Sequence, residues 1–329
     1  MTNNTTKTLL AGVELPQITK AGLNQKIRGL DPLSKTVLYF LYSEFVIRAN
    51  SNPSYRNILN KADITAIDGK GLEWSNYILS GNPKYRPENL VKARIYYNLL
   101  KNIWSGFRII VGRVNLSYIT KNEVILGRDF VYDLLKQANI SKSKVAIIGS
   151  NRTVSKRLNK QFPDCTIMVW EAPFDGMLMT DTGRITPKTT TESQHRFLNP
   201  ENLLSEFPDL IQARGFVRRL EPDLVIVCIG GASGKQEFFV DNIKMDSSIN
   251  FGLAVGVGAA FDHLGSGQSQ KRTIAWLERS GLEWLFRIFT NRKRARRTWH
   301  SIIALWQLTS LQPFFPKDQK INIQKIFRP

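Results

Sequence analysis

The stretch Leu224-Val225-Ile226-Val227-Cys228-Ile229-Gly230-Gly231-Ala232-Ser233-Gly234-Lys235-Gln236-Glu237 decides the fold. Its first six residues are apolar and mostly β-branched, the pattern of a strand covered on both faces. Glycines follow, and then a helix-like run, Lys235–Asn242. A strand that passes through a Gly-rich turn into a helix is the building unit of α/β proteins. Gly230 and Gly231 would let the backbone approach a ligand closely. Lys235, Gln236 and Glu237 then put a cation, an amide and a carboxylate at the carboxyl end of the strand. The same residues also suit a plain helix N-terminus.

Working outward, the same alternation recurs. Strands are predicted at Thr36–Phe40, Asp63–Ile67, Arg108–Val111, Lys144–Ile148, Cys165–Trp170 and Phe251–Val257. Helices are predicted at Glu44–Lys61, Gly71–Leu79, Phe130–Ala138 and Thr153–Gln161. The expected fold is therefore α/β and Rossmann-like: a largely parallel sheet with flanking helices. Pro83 to about Asn122 is basic and aromatic-rich and fits no clean strand–helix unit. Thr180–Gln194 reads as a loop. Ile302–Leu311 is amphipathic, and Pro313 and Pro316 break the chain after it.

Two more turns could face a ligand. Lys144–Ile148 runs into Gly149-Ser150-Asn151 and then a helix, which aims backbone N–H groups above the sheet edge. Asp68, at the end of the strand Asp63–Ile67 and before Gly69, projects a carboxylate into the same crevice, where a general base belongs. Asp-Gly is also a common turn dipeptide. Val255-Gly256-Val257-Gly258-Ala259-Ala260 superficially matches a dinucleotide fingerprint. It comes late in the chain, and no strand ending in an acidic residue follows it.

The chain has 329 residues, 46 Lys+Arg against 27 Asp+Glu, and a formal net charge of +19. Two cysteines exclude a disulfide scaffold, and three histidines without ligand spacing exclude a His-built metal centre. The opening residues lack a long apolar run, so no secretory signal is expected; the sequence has no run of about 18 apolar residues, so no transmembrane helix is expected. The charge asks for a polyanionic partner. It is concentrated: residues 271–329 carry 13 basic and 3 acidic side chains. Trp276, Trp284, Phe286, Phe289, Trp299 and Trp306 are interleaved with them. Rings at the headgroup level with Lys and Arg on lipid phosphates suit an anionic membrane surface. The same mixture suits single-stranded nucleic acid, or a solvated helix packed by its aromatics. The organisation read from this is an α/β body over 9–270 and a basic, aromatic-rich helical appendage over 271–329.

Several blocks together resemble the WecG/TagA/CpsF glycosyltransferase family. They are Leu10-Ala11-Gly12-Val13, Asn52-Pro53, Asn60-Lys61-Ala62-Asp63, Asp68-Gly69, Gly127-Arg128-Asp129-Phe130, Val145–Gly149 and Pro222-Asp223-Leu224. Further on come Lys235-Gln236-Glu237, Val257-Gly258-Ala259-Ala260-Phe261-Asp262 and Gly281-Leu282-Glu283-Trp284-Leu285-Phe286-Arg287. The resemblance spans roughly residues 9–299. It implies a bacterial enzyme that moves a sugar from a nucleotide donor, a UDP-sugar, to a polyprenyl-diphosphate-linked acceptor in cell-surface or extracellular polysaccharide synthesis. It implies Asp68 as general base. Gly149, Gly230, Gly231, Lys235, Gln236, Glu237 and Asp262 would form the nucleotide-sugar site. Arg287, Arg294 and Arg297 would engage the acceptor diphosphate. The implied location is the inner face of the cell membrane, attached peripherally through the appendage, with homo-oligomers left open. The sequence departs from the family pattern where Phe40 and Tyr42 replace a Thr/Asn pair and Gly234 replaces the Pro of a PKQE block.

Sugar transfer needs a base for the acceptor hydroxyl and an offset for charge on the departing diphosphate. The sequence has no DxD pair, the usual metal-holding signature of glycosyltransferases. A metal-independent reaction without cofactor is therefore expected, with backbone N–H groups and cations meeting that charge. By the resemblance the outcome is inverting. Two rival readings are a basic nucleic-acid-binding protein, which lacks any recognisable reading motif, and a non-catalytic relative in a polysaccharide assembly complex.

Overall fold

The computed structural model describes residues 8–80, 92–110, 123–171, 177–179, 185–187, 209–229, 234–258, 292–315 and 321. The chain opens with a hairpin, β1 (Thr8–Leu10) and β2 (Val13–Leu15). Ala11 and Gly12 turn it with positive φ at both positions, the geometry that matches strand twist. Then come α1 (Lys20–Arg28), β3 (Thr36–Leu41), α2 (Ser43–Ser51), α3 (Pro53–Asn60) and β4 (Ile64–Ile67). Next are α4 (Lys70–Ser80), α5 (Lys92–Ile110), α6 (Gly127–Ile140), β5 (Lys144–Ile148) and α7 (Arg152–Gln161). They are followed by β6 (Thr166–Trp170), a small hairpin of β7 (Met177–Met179) and β8 (Ile185–Pro187), and α8 (Asp209–Leu220). The described chain ends with β9 (Leu224–Val227), α9 (Lys235–Met245), β10 (Leu253–Gly256), α10 (Arg292–Leu311) and a 3-10 turn, Gln312–Phe314.

Six strands form one parallel sheet in the order β4-β3-β10-β9-β5-β6. Val255 in β10 pairs with Leu38 of β3 on one side and Ile226 of β9 on the other. Side chains alternate across a strand, so the sheet feeds two cores. Tyr39, Leu41, Ala254, Val225 and Ala146 face one layer with α2, α3, α8, α9 and α10. Leu38, Phe40, Val255, Ile226 and Val145 face the other with α1, α6 and α7. This double cover is why the strand sequences read as unbroken apolar runs.

The α/β fold expected from the sequence is the fold observed. Three local expectations are corrected. Arg108–Ile110 is the last turn of α5, not a strand; a short apolar run does not tell a strand from a buried helix end. The helix expected over 44–61 is two helices, because Pro53 cannot continue α2 and the Asn52 side chain accepts from the Tyr55 N–H at 3.0 Å to start α3. Within the presumed loop at 180–194, Ile185–Pro187 pairs with Met177–Met179.

Residues 259–291, where the domain boundary was expected, lie outside the described set. The end of α10 belongs to the same core as the sheet: Leu305, Leu308 and Leu311 are buried with Phe314. Polar bonds reinforce the packing. Ser75 and Thr309 share a hydroxyl bond of 2.8 Å, and Asn102 donates to Ser310 Oγ at 2.9 Å. The Ala11 N–H donates to Gln312 Oε1 at 2.7 Å. Asn50 and Ile321 exchange two bonds of 3.0 Å each.

Candidate active site

The six strands end along one edge, and ligands of open α/β sheets sit outside that carboxyl edge. Asp68 directly follows β4, held by its N–H donating to the Leu41 carbonyl at 2.7 Å. It is half-buried. Gly69 has φ +118, and no atom lies within 4 Å of where a Cβ would be. That turn is thus open, and α4 begins just past it. Lys70 Nζ reaches the fully buried Glu73 at 2.7 Å, partly neutralising it.

Three strands away, after β9, the KQE block organises the other side. Gly234 enters α9 with φ +82, and a Cβ there would lie 2.9 Å from the Tyr55 ring. Proline, locked near −65°, has no access to that backbone, so the Gly in place of the family Pro gives a different approach to the helix. Gln236 is 2% exposed. Its Oε1 accepts from the Gly258 N–H at 2.7 Å, and its Nε2 donates to Glu237 Oε1 at 2.9 Å. The amide thereby ties α9 to the turn leaving β10. A side chain on Gly256 would collide with it. Gly258 itself, at φ +53, has open space around the missing Cβ. With β3 alone between β4 and β10, the Asp68 and Gly258 turns are about 10 Å apart at sheet spacing.

Glu237 is fully buried beneath this turn. Burial pushes its carboxyl up; the charge of Arg48 and the Gln236 amide pull the other way without cancelling it. Arg48 lies over the Tyr55 ring at 4.9 Å, and Tyr39 donates to the Glu237 backbone carbonyl at 3.2 Å. Burial likewise raises both tyrosines, with Glu237 adding to the effect. Arg48, Tyr39 and Tyr55 were not singled out from the sequence. Nothing in their spacing marks them, because the contact joins residues nearly 200 positions apart.

The remaining expected residues divide plainly. Lys235 opens α9. Gly149 has φ +91, and a Cβ there would press on the Ile229 backbone nitrogen at 3.0 Å. Its glycine character is therefore used to close the β5 and β9 ends together. Phe40 is buried on the opposite core layer, 5.7 Å from the Phe130 ring, while Tyr42 leaves β3 at the crevice edge and packs on Phe45 at 4.6 Å. Arg294 and Arg297 lie in the first turns of α10. Gly230, Gly231, Asp262 and Arg287 lie outside the described residues. Among the described residues no three His, Cys, Asp or Glu side chains group as a metal site.

The register of α10 gives the site its third side. Leu305 Cδ2 lies 2.9 Å from a Cβ placed on Gly71, and Thr309 meets Ser75. Both numbers advance by four, so α10 runs parallel to α4. Residues before Leu305 must then project past the start of α4, beyond the carboxyl edge. At 1.5 Å per residue, the Arg297 and Arg294 backbones stand about 12 and 16 Å further out.

The sequence around this acidic strand end, Gly-bounded crevice and basic helix is similar to that of known proteins. The family model for glycosyl transferases of the WecG/TagA/CpsF family matches residues 108–319. The N-acetylglucosaminyldiphosphoundecaprenol N-acetyl-beta-D-mannosaminyltransferase of Bacillus subtilis (strain 168) is 24% identical over 249 residues, covering 72% of this chain and 82% of that protein. With the family model matching well over half the chain, and the parallel sheet and edge turns arranged as described, this protein belongs to the WecG/TagA/CpsF family and is a glycosyltransferase.

Proposed function

We propose that the protein transfers a sugar from a nucleotide-sugar donor, a UDP-sugar, to a polyprenyl-diphosphate-linked saccharide at an anionic membrane surface on the cytoplasmic side, in polysaccharide biosynthesis. The observation that carries this reading is the register of α10, which raises a run of five basic residues beyond the edge where Asp68 ends β4. The relative's printed substrate, a diphosphoundecaprenol-linked sugar, supports the acceptor class.

In this mechanism Asp68 takes the proton of the acceptor hydroxyl as it attacks the anomeric carbon. One direct displacement inverts that carbon. The donor lies across the Gly258 turn, whose backbone Gln236 holds, with Gly149, Gly230, Gly231, Lys235 and Asp262 completing that side and Glu237 supporting it from beneath. Charge on the leaving diphosphate is met by backbone N–H groups and cations. Arg287, Arg294 and Arg297 take the acceptor diphosphate, for which the planar guanidinium fork is suited. No DxD pair is present, so no metal is required.

The test is transfer from UDP-N-acetylhexosamines to an undecaprenyl-diphosphate-linked sugar. Asp68→Asn should lower kcat by at least about 100-fold, within the range of general-base contributions, with an unchanged melting curve. EDTA should leave the wild-type rate unaltered. Wild-type turnover by Asp68→Asn would remove the assigned base.

A further inference from the structure

Over residues 97–106, the part of helix α5 whose side chains are described, the helix is inside out. Its polar residues Asn98 and Asn102 are buried, at 7% and 5% exposure, with Leu99 beside them, and Asn102 donates to Ser310 of α10. Its outward side holds Tyr97 at 64%, Leu100 at 66%, Ile103 at 52% and Trp104 at 63% exposure. Tyr97, Leu100, Lys101 and Trp104 follow the i, i+3, i+4, i+7 rule and share one stripe. A surface that buries its amides and shows water its largest apolar side chains is an interaction surface.

Charge selects the occupant. Helix α5 carries four basic residues and α10 five, and neither carries an Asp or Glu. Lys101 is exposed within the stripe itself. Against a second copy across a two-fold axis, the same patch would meet itself and bring like charges together. Against a phospholipid surface the cations meet phosphates, while Trp and Tyr rings settle at the headgroup level and Leu and Ile reach the acyl boundary.

We propose that the outward face of α5, centred on Tyr97, Leu100, Lys101 and Trp104, lies flat on an anionic bilayer as a membrane contact separate from the basic C-terminal region. It goes beyond the transfer reaction and rests only on the reading that the protein works at a membrane. Lying in the interface, α5 would hold the body against the bilayer while α10, packed on it, keeps its basic turns at the rim of the crevice.

The test uses the full chain and vesicles of phosphatidylglycerol with phosphatidylethanolamine, with phosphatidylcholine vesicles as control. The double variant Leu100→Ser/Trp104→Ser should lose at least tenfold in partitioning to the anionic vesicles. Lys101→Glu should lose about threefold, less at high salt. Lipids brominated in the acyl chain should quench wild-type tryptophan emission more than that of Trp104→Phe, a readout that stands even if the double variant folds poorly. Transfer to a short-chain, water-soluble acceptor should be unchanged in all three. The proposal is overturned if the double variant binds vesicles like wild type, or if wild type does not bind them. It also fails if bromine quenching is the same with and without Trp104, or if the variants change only the oligomeric state in light scattering. Loss of binding in Arg296→Glu with the double variant unaffected would assign attachment to the C-terminal run alone, leaving the proposed reaction standing. Vesicle binding that depends on α5 with no sugar transfer would sink the reaction and keep the lipid contact.

Discussion

At the scale of single residues, the site is framed by backbone and its chemistry is set by burial. Gln236 spends both ends of its amide inside the protein, on Gly258 and on Glu237. Its substitution by Leu leaves the Gly258 N–H and a Glu237 oxygen without those partners, which costs about 1–3 kcal/mol for each buried polar group. Glu237 is the opposite case, a buried carboxyl whose charged form is disfavoured. A folded-state pKa above the unfolded one means that stability is complete at low pH and falls as pH rises through the unfolded value. Glu237→Gln keeps an oxygen to accept from Gln236 and removes the charge. Its Tm at pH 7 should therefore rise by a few degrees, the scale of about 1 kcal/mol in a chain this size. The gain should vanish near pH 4 in parallel thermal melts. A lower Tm at pH 7 would show that the pairing with Arg48 outweighs the burial. Asp68 was legible in the sequence because a polar residue ending an apolar strand stands out locally. Arg48 and Tyr55 were not, since their function in the fold exists only once α2, α3 and α9 are brought together.

At the scale of elements, α10 shows how a charged segment can also be a core segment. The first turns are basic, and the last two turns present Leu305, Leu308 and Leu311 to the core. Leu308 is fully buried. Leu308→Ala should cost about 2–5 kcal/mol, the usual range for a leucine cavity, read from urea unfolding. A loss below about 1 kcal/mol would mean that α10 is docked mainly by its polar contacts with Ser75 and Asn102. The amphipathic pattern of 302–311 and its stop at Pro313 were readable from spacing. Helix α5 was not: its stripe at 97, 100, 101 and 104 keeps helical spacing inside a basic, aromatic-rich segment, but spacing does not show which face turns inward, and here Asn98 and Asn102 are buried while Tyr97 and Trp104 are exposed. Its reversed pattern is the same feature that turns it toward lipid.

At the scale of the whole molecule, the edge of the sheet opposite the site is closed by a charged knot. Asp246, at the end of α9, accepts from the Ser248 N–H and hydroxyl at 2.9 and 2.7 Å and from Arg214 Nε of α8 at 2.7 Å. Its backbone carbonyl also takes Lys35 Nζ at 2.8 Å, at the entry to β3. These bonds, led by Ser248 and followed by Arg214, hold its carboxyl down from 3.8 to about 2. A depressed carboxyl contributes stability that is complete above its unfolded pKa and is lost as pH falls through the folded one. The wild type should thus lose stability between about pH 4 and 2 through this group. Asp246→Asn should be about 1.5–3 kcal/mol less stable at pH 7, as expected for a hydrogen bond to a charged group. Its melts should show a shallower decline over that acid window, and an equally steep decline would assign the acid sensitivity elsewhere.

The sequence by itself determined the α/β fold, all six parallel strands to within two residues at each end, the acidic end of β4 and the address of the charge. Those are properties of short windows, in which a doubly covered strand must be continuously apolar and a basic run is visible without folding. Only the tertiary structure decided that α10 is parallel to α4 and so lifts its basic turns over the crevice. The same is true of Gln236, which is turned inward to hold Gly258, and of α5, which carries its apolar face outward. Each of these depends on which side chain meets which across the fold, over 22 residues for Gln236 and Gly258 and over 200 for α10 with α4 and α5, a relation of packing that no local pattern carries.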